Sequence, residues 1–209
     1  ESKRLPRSGD RLFALHAAWF PTVVARAARE EPLDRRFRGP AELALFRGAW
    51  NDPQALFVGL KAGSNAVNHS HLDLGSFVLD ADGVRWAEDL GPDDYNLPAY
   101  FGAKRWTYYR LNNFSHNTLT PGDTLQEPKA VAPITAFAST PERAFAVVDL
   151  TPAYPRSARS LRRGLALLDR ARVLVQDEIV GAKVGSVANW RMITPAKVSI
   201  ADGRHAVLT

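Results

Sequence analysis

The sequence lacks several features that would indicate whole classes of protein. It contains no cysteine, which excludes disulfide bonds, thiolate zinc sites and cysteine nucleophiles. No apolar run approaches the roughly 20 residues that a membrane helix needs, so we expect no membrane span. The glycine-rich dinucleotide fingerprint, the phosphate-binding loop and the Gly-x-Ser-x-Gly nucleophile elbow are also missing.

Length and composition allow a folded domain with a basic balance. The chain has 209 residues, 45% hydrophobic and 23% charged, which suits one domain, or one domain and a piece of another. The net charge of +5 favours an anionic partner, and we expect this not to be nucleic acid. Because the chain starts at Glu1 without a signal segment, we expect it to be processed or cropped. A bacterial periplasm or cytoplasm is the expected compartment, and the oligomeric state stays open.

Two textures divide the sequence near residue 50. Residues 10–30 carry apolar side chains near helical spacing, interrupted by one proline, and predict a kinked helix. A proline at the first position favours a second, short helix over residues 41–47. We therefore predict a helical segment (residues 1–49) followed by a β domain (residues 50–209).

After that boundary, short candidate strands recur at spacings near ten residues with turn signals between them. This spacing is typical of a β-sandwich, so the predicted fold class is mainly β, an antiparallel sandwich after a short helical segment. Between two of the strands, Gly83 could take the left-handed position of a three-residue hairpin loop. The predicted strands are Phe57–Leu60, Phe77–Leu79, Val84–Trp86, Ile134–Ala138, Ala144–Leu150, Arg163–Asp169, Arg172–Asp177, Ala188–Ile193, Lys197–Ile200 and Ala206–Thr209.

The segment Asn68–Gly75 is the richest in side chains that could carry chemistry. If it is an extended strand, His69, His71 and Asp73 share one face, opposite apolar leucines. A His-x-His pair commonly presents two imidazoles to one metal ion. A solvated polar face with ordinary hydrogen-bonded histidines is the alternative.

Two further segments add possible ligands. Glu88 and Asp89 form an acidic pair at the end of a predicted strand, and His116 enters another apolar strand. Two imidazoles and one carboxylate make a suitable ligand set for zinc. Surface carboxylates and a half-buried histidine are the corresponding alternatives.

The predicted hairpin makes this convergence difficult. A two-residue turn places Asp89 opposite Ser76, on the wrong face, and a three-residue loop places it opposite Gly75, on the right one. Even then Asp89 lies about 13 Å from His71 along the partner strand. The segment with the two histidines would therefore have to bend back.

A cationic and aromatic stretch lies between these segments. Arginine forks bind carboxylate, sulfate or phosphate, and tyrosine hydroxyls can act as general acids or bases. A core aromatic strand with arginines reaching water is the alternative. The stretch comprises Tyr95, Tyr100, Phe101, Arg105, Trp106, Tyr108, Tyr109 and Arg110. A second basic run predicts a solvated face, and it consists of Arg156, Arg159, Arg162 and Arg163.

In their order along the chain, these motifs resemble the heparinase II/III-like superfamily of polysaccharide lyases, most closely its alginate and oligoalginate lyase branches. The resemblance covers about residues 50–200. It is carried by His69-Ser-His71-Leu-Asp73-Leu-Gly-Ser-Phe77, Asp82-Gly83, Trp86, Asp89-Leu-Gly91, Tyr95 and Ser115-His116-Asn117-Thr118-Leu119.

The resemblance implies an α/α toroid followed by a β-sandwich, of which this chain holds the C-terminal part. Residues 10–47 would be the last toroid helices, and the sandwich would be cut short at Thr209. The resemblance also implies that His71, Asp89 and His116 bind zinc. We expect this Zn²⁺ to be structural, because a catalytic zinc needs an open position with a bound water and β-elimination needs no metal hydroxide.

The implied activity is β-elimination of 4-linked uronic acids in polymers or oligomers of the alginate or heparin/heparan kind. His69 would face the substrate and serve in carboxylate neutralisation or proton transfer. The family's remaining acid–base residues come from the toroid and match nothing here, so we expect the chain alone to be inactive. The candidates for contact with the anionic saccharide are Tyr95, Arg105, Tyr109 and Arg110.

Two other interpretations stay open. A non-catalytic carbohydrate-binding sandwich would use the aromatic stretch but needs no metal ligands. A zinc-dependent hydrolase would place a carboxylate such as Glu88 or Asp73 beside a water in the fourth metal position.

Overall fold

Short antiparallel strands organise residues 31–209, the part of the chain that this computed structural model describes. The strands are β1 (Arg35–Phe37), β2 (Ala41–Arg47), β3 (Phe57–Ser64), β4 (Phe77–Ala81), β5 (Val84–Ala87), β6 (Leu119–Pro121), β7 (Val131–Ala132), β8 (Ile134–Ser139), β9 (Arg143–Asp149), β10 (Ser160–Leu168), β11 (Arg172–Val180), β12 (Ala188–Trp190), β13 (Val198–Ile200) and β14 (Ala206–Leu208). In this described part, four short 3₁₀ helices cover Arg105–Thr107, Tyr109–Leu111, Asn113–Ser115 and Thr151–Ala153. The predicted mainly β, antiparallel fold class is confirmed.

Two sheets form the body of the fold. The first has the order β1-β2-β3-β4-β5, with β7 pairing with β3 further along that strand. The second has the order β11-β10-β9-β8. Among residues 31–209, β6 also pairs with β12 and β13 with β14. All the pairs are antiparallel.

The core contains the inward faces of both sheets. Residues two apart on a strand share a face, and β2 and β9 alternate between buried and more exposed positions accordingly. Phe46 of β2 is fully buried and stacks on Phe137 of β8, with ring centroids 5.7 Å apart. Leu161, Leu165 and Leu167 of β10 join the same apolar cluster.

The short helix predicted over residues 41–47 is wrong, because this segment is strand β2. Its burial has a period of two, with Glu42, Ala44 and Phe46 buried, and that is a strand pattern. The buried Glu42 carboxylate accepts from Arg36 at 2.6 Å and from the Ile134 amide at 2.9 Å, so it is fully partnered. Strand β2 pairs with β3 along its whole length, so the boundary predicted near residue 50 falls in the connection between two paired strands.

The helix predicted over residues 10–30 lies outside the described residues. Within residues 31–209, no helix is long and apolar enough to cross a membrane.

Replacing Phe46 with alanine should destabilise the protein by about 3–5 kcal/mol, because the cavity removes contacts with both sheets. Phe37→Ala is the matched control, since Phe37 lies on the edge strand β1 and is 44% exposed; its cost should stay near 0.5 kcal/mol or less. Urea unfolding of the full chain measures both changes, and equal losses would contradict the described packing.

Candidate metal centre

His71, Asp89 and His116 come together from three separate segments, and we call them the ligand cluster. One ligand atom from each lies within 4.8 Å of the others. The Nδ1 atom of His116 lies 2.7 Å from Oδ2 of Asp89, and the rings of His71 and His116 have centroids 5.3 Å apart. The structure thus brings together the three residues that the sequence motifs singled out.

The segment that supplies His71 is not the strand we predicted. Residues 65–76 form a series of turns, which we call the His69 loop, so His69, His71 and Asp73 do not share the face of a strand. Gly75 has a φ of 78°, and a Cβ there would lie 2.8 Å from Leu150. Such a conformation favours glycine, and it lets the loop fold back where an extended strand would run away from Asp89.

Asp89 reaches the cluster through an irregular hairpin. Asp82 and Gly83 both have positive φ and form a two-residue turn, as in a type I′ hairpin, so the three-residue loop is not formed. A bulge then shifts the register, because Ala81 pairs with Val84 but Leu79 pairs with Ala87. One extra residue of β5 therefore changes the face on which the following residues lie.

His116 is fully buried and directly follows the 3₁₀ helix Asn113–Ser115. Its Nε2 atom has no hydrogen-bond partner among the described residues, although a buried imidazole nitrogen normally has one. Two imidazoles and one carboxylate are donors that zinc accepts, and tetrahedral zinc places them about 3.3 Å apart. The chemistry of the three donors therefore fits a zinc ion, with the Nδ1 atom of His116 on the side of Asp89.

The local electrostatics prepare the cluster for a cation. Burial, together with the neighbouring His116, lowers the pKa of His71 to about 4. Burial opposes the charge of Asp89, but the hydrogen bond and charge of His116 and the Gly91 N–H outweigh it and lower the pKa of Asp89 to about 2. At neutral pH the protein thus offers a neutral His71 imidazole and a charged carboxylate, which are the protonation states that metal binding requires.

Most of the chain matches a known protein family. The family profile described as "Heparinase II/III-like, C-terminal" matches residues 52–209.

The chain belongs to this family.

Solved structures with the same fold carry related names. A heparinase III structure shares 20% identity and a TM-score of 0.62 over 76% of this chain and 25% of its own. A second heparinase III structure has 20% identity and a TM-score of 0.68, over 83% of this chain and 26% of its own. The heparan sulfate lyase from Pedobacter heparinus has 20% identity and a TM-score of 0.58, over 71% of this chain and 22% of its own. This chain thus spans about a quarter of their length, and at this identity the likeness shows the fold. A search of curated proteins finds no match.

In this heparinase II/III-like chain, His69 lies beside the ligand cluster on an open cleft. The cleft has a volume of about 350 Å³, and its walls include Lys61, His69, His71, Asp73 and Asp89. The φ of His69 is 61°, a left-handed conformation that non-glycine residues adopt at some cost. Such strain often marks a functional position.

Two aromatic side chains pack against the His69 ring. Tyr95 stacks on it with a centroid distance of 6.0 Å, and Phe101 meets it edge-on at 5.5 Å. Both aromatic side chains are more than half exposed. The predicted contact residue Tyr95 therefore lies directly beside the predicted catalytic residue.

The other predicted contact residues have different surroundings. Arg105 donates to the Ser70 carbonyl at 2.6 Å and packs against three aromatic rings. Arg110 donates to the Leu90 carbonyl at 2.6 Å, and Tyr109 is exposed. The two arginines thus bind the backbone next to His69 and Asp89, and a role in substrate contact stays a prediction.

Lys61 and Asn117 are two residues to which the sequence motifs assigned no role. Lys61 lines the cleft and contacts both oxygens of Asp73, at 2.6 and 2.7 Å. Asn117 is fully buried and binds backbone atoms of three segments. An amide directly after a candidate ligand is too common a sequence feature to reveal such a role.

The solvated face predicted for the second basic run is wrong at Arg163, which is fully buried. It forms a two-pronged ion pair with Asp177, with both distances 2.8 Å. A signal was present, because Arg163 shares its strand face with the buried Leu161 and Leu165.

The metal-free protein should lose stability as the pH falls from about 6.5 to about 4. Unfolded His71 takes up its proton near pH 6.5, whereas folded His71 does so only near pH 4. Between these values the unfolded state binds more protons, so acid favours it. Asp89 acts in a separate window, because its pKa falls on folding from 3.8 to about 2.

Denaturant unfolding in EDTA between pH 4 and 7.5 measures this dependence. His71→Gln should flatten the slope, and His205→Gln should preserve it, because His205 lies exposed before β14. An unchanged slope in His71→Gln would contradict the assignment.

Proposed function

We propose that this domain holds a structural Zn²⁺ in a polysaccharide lyase that cleaves 4-linked uronic acids by β-elimination, with His69 acting on the substrate. One observation carries the proposal. His69 lies two residues before His71 and lines the same cleft as His71 and Asp89, so a metal ion held by those two residues would fix the loop that presents His69.

The elimination has three requirements, which are neutralisation of the uronate carboxylate, a base and an acid. The C5 proton leaves, the C4–O bond breaks, a C4–C5 double bond forms, and the departing oxygen gains a proton. Neutralising the uronate carboxylate stabilises the negative charge that develops as C5 loses its proton. A protonated ring nitrogen of His69 can donate to that carboxylate, and a neutral one can accept the C5 proton.

Zinc bound by His71, Asp89 and His116 would link three loops and supply rigidity rather than a reactive water. The residues themselves do the rest of the work. The stack on Tyr95 orients the His69 ring, and the Arg105 contact with Ser70 fixes the backbone next to it. Preorganisation of this kind lowers the cost of reaching the reactive geometry.

The surroundings of His69 suit an anionic sugar. Tyr95 and Phe101 offer exposed aromatic faces, whereas the Lys61 ammonium group on the cleft wall is paired with Asp73. The net charge of +5 acts in the same direction at longer range. We therefore propose anionic poly- or oligosaccharides as partners, of the heparin/heparan or alginate kind, with contacts from Tyr95, Arg105, Tyr109 and Arg110.

The remaining acid–base residues are proposed to come from outside this domain, on an α-helical toroid. An acid or base typically contributes about 10²–10⁴-fold to the rate. This chain alone should therefore have little or no lyase activity, even when folded and loaded with metal.

A carbohydrate-binding sandwich without catalysis is the second candidate, and the exposed Tyr95 and Phe101 favour it. A zinc-dependent hydrolase is less well supported, because both oxygens of Asp73 contact Lys61. That pairing leaves Asp73 poorly suited to activate a metal-bound water.

Separate variants of the intact lyase distinguish the two histidines. His69→Ala should lower the elimination rate by about 10²–10⁴-fold while zinc content and melting temperature stay unchanged. His71→Ala should lose zinc and lower the melting temperature. His205→Ala, remote in sequence and exposed, should change none of these quantities.

The readouts are the absorbance of the unsaturated product, zinc per chain and thermal unfolding. A fully active His69→Ala protein would overturn the catalytic assignment. Saccharide binding without any elimination by the intact protein would favour the carbohydrate-binding alternative.

A further inference from the structure

Arg163 connects the second sheet to the loops that carry the ligand cluster. It lies on β10, and its Nε and Nη2 donate to Asp177 of β11. Its Nη1 donates to two carbonyl groups, of Gly75 and of Asn117, each at 2.9 Å. Gly75 lies in the His69 loop, and Asn117 directly follows His116. One buried guanidinium therefore spans two of the three segments that supply ligands.

Asn117 extends this connection to the third segment. Its side-chain nitrogen donates to the Glu88 carbonyl at 2.9 Å and to the Phe77 carbonyl at 2.7 Å. Glu88 directly precedes Asp89. Arg163 and Asn117 together thus bind the backbone next to or near all three members of the ligand cluster.

We infer that Arg163 is a positioning residue for the proposed metal site: it sets the separation of the His69 loop and the His116 segment, so that the three ligands stand ready for one ion. This inference rests on the proposed function. A guanidinium suits the task because its planar fork binds a carboxylate on one side while another nitrogen reaches the two carbonyls. Lysine is a point charge and cannot reproduce all of these bonds.

The ion pair of Arg163 and Asp177 is almost wholly buried. Arg163 has no exposed side-chain surface, and Asp177 has 12%. Removing one partner alone would leave a buried charge unpaired, which is strongly destabilising. Removing both charges avoids this penalty, because well-packed apolar replacements of buried ion pairs are often neutral.

The decisive variant is therefore Arg163→Met with Asp177→Leu. It removes the contacts with the Gly75 and Asn117 carbonyls without leaving an unpaired charge. Zinc affinity, measured by competition with a chromophoric chelator, should fall by about 10–100-fold, as is typical when a residue supporting metal ligands is lost. Arg163→Lys, which keeps the charge, should give an intermediate affinity.

Two matched controls separate positioning from general stability. Arg162→Met with Glu178→Leu removes the neighbouring ion pair of the same two strands, which is exposed. Leu165→Ala leaves a cavity on the same face of β10, where Leu165 is fully buried. Both should preserve zinc affinity, although Leu165→Ala lowers the melting temperature.

Amide hydrogen exchange of the metal-free protein provides a second readout. In the Arg163 and Asp177 double variant, residues 69–76 and 112–118 should lose protection together, while the controls retain it. Unchanged zinc affinity in the double variant, or an equal loss in Leu165→Ala, would overturn the inference.

If the parent protein binds no zinc, the proposed metal is contradicted and exchange alone decides the role of Arg163. Loss of protection confined to the two segments then supports positioning, and protection equal to that of the parent overturns it.

Discussion

Buried polar groups of the irregular loops need hydrogen-bond partners, and the rest of the structure depends on this constraint. Backbone groups of irregular loops cannot use a strand ladder, so side chains must supply their hydrogen bonds. Gln126 illustrates this, because its side chain accepts from the Leu74 amide at 3.0 Å and donates to the Leu74 carbonyl at 2.9 Å. Arg163 and Asn117 do the same for neighbouring segments.

This constraint explains how loops can carry a precise site. The His69 loop has little regular structure, yet its backbone is bound by Gln126, Arg163 and Arg105 from three directions. The ligand cluster lies beside this loop, and His69 lines the open cleft together with His71 and Asp89. A metal ion in the cluster would add one more connection between segments that the protein already holds close, which keeps the cost of ordering the site low.

Much of the fold follows from the alternation of apolar and polar residues along the strands, whereas the site depends on departures from that alternation. The strands Ala144–Leu150 and Arg172–Asp177 and the pairing of His71 with His116 and Asp89 were expected from patterns and motifs. The turns of residues 69–76 were not expected, because the sequence of this segment alternates as a strand does. That alternation does not show that Gly75 takes a left-handed conformation. The bulge near Leu79 was equally hidden, since bulges depend on both strands.

Arg163 shows the opposite case. The alternation of its strand indicated burial, but the charge of the arginine led us to predict a solvated position. Its position between Leu161 and Leu165 places it on the buried face of β10, yet an arginine run is usually solvated. The partner that permits its burial, Asp177, lies on the next strand directly opposite. Cross-strand register, which a single sequence does not provide, is what distinguishes the two outcomes.

X-ray absorption at the zinc edge of the metal-loaded chain tests the central claim most directly, because it reports the ligands themselves. The account predicts two imidazole nitrogens and a carboxylate oxygen at about 2.0–2.2 Å, with the imidazole scattering reduced in His116→Ala. A spectrum of oxygen ligands alone, unchanged by His116→Ala, would contradict it.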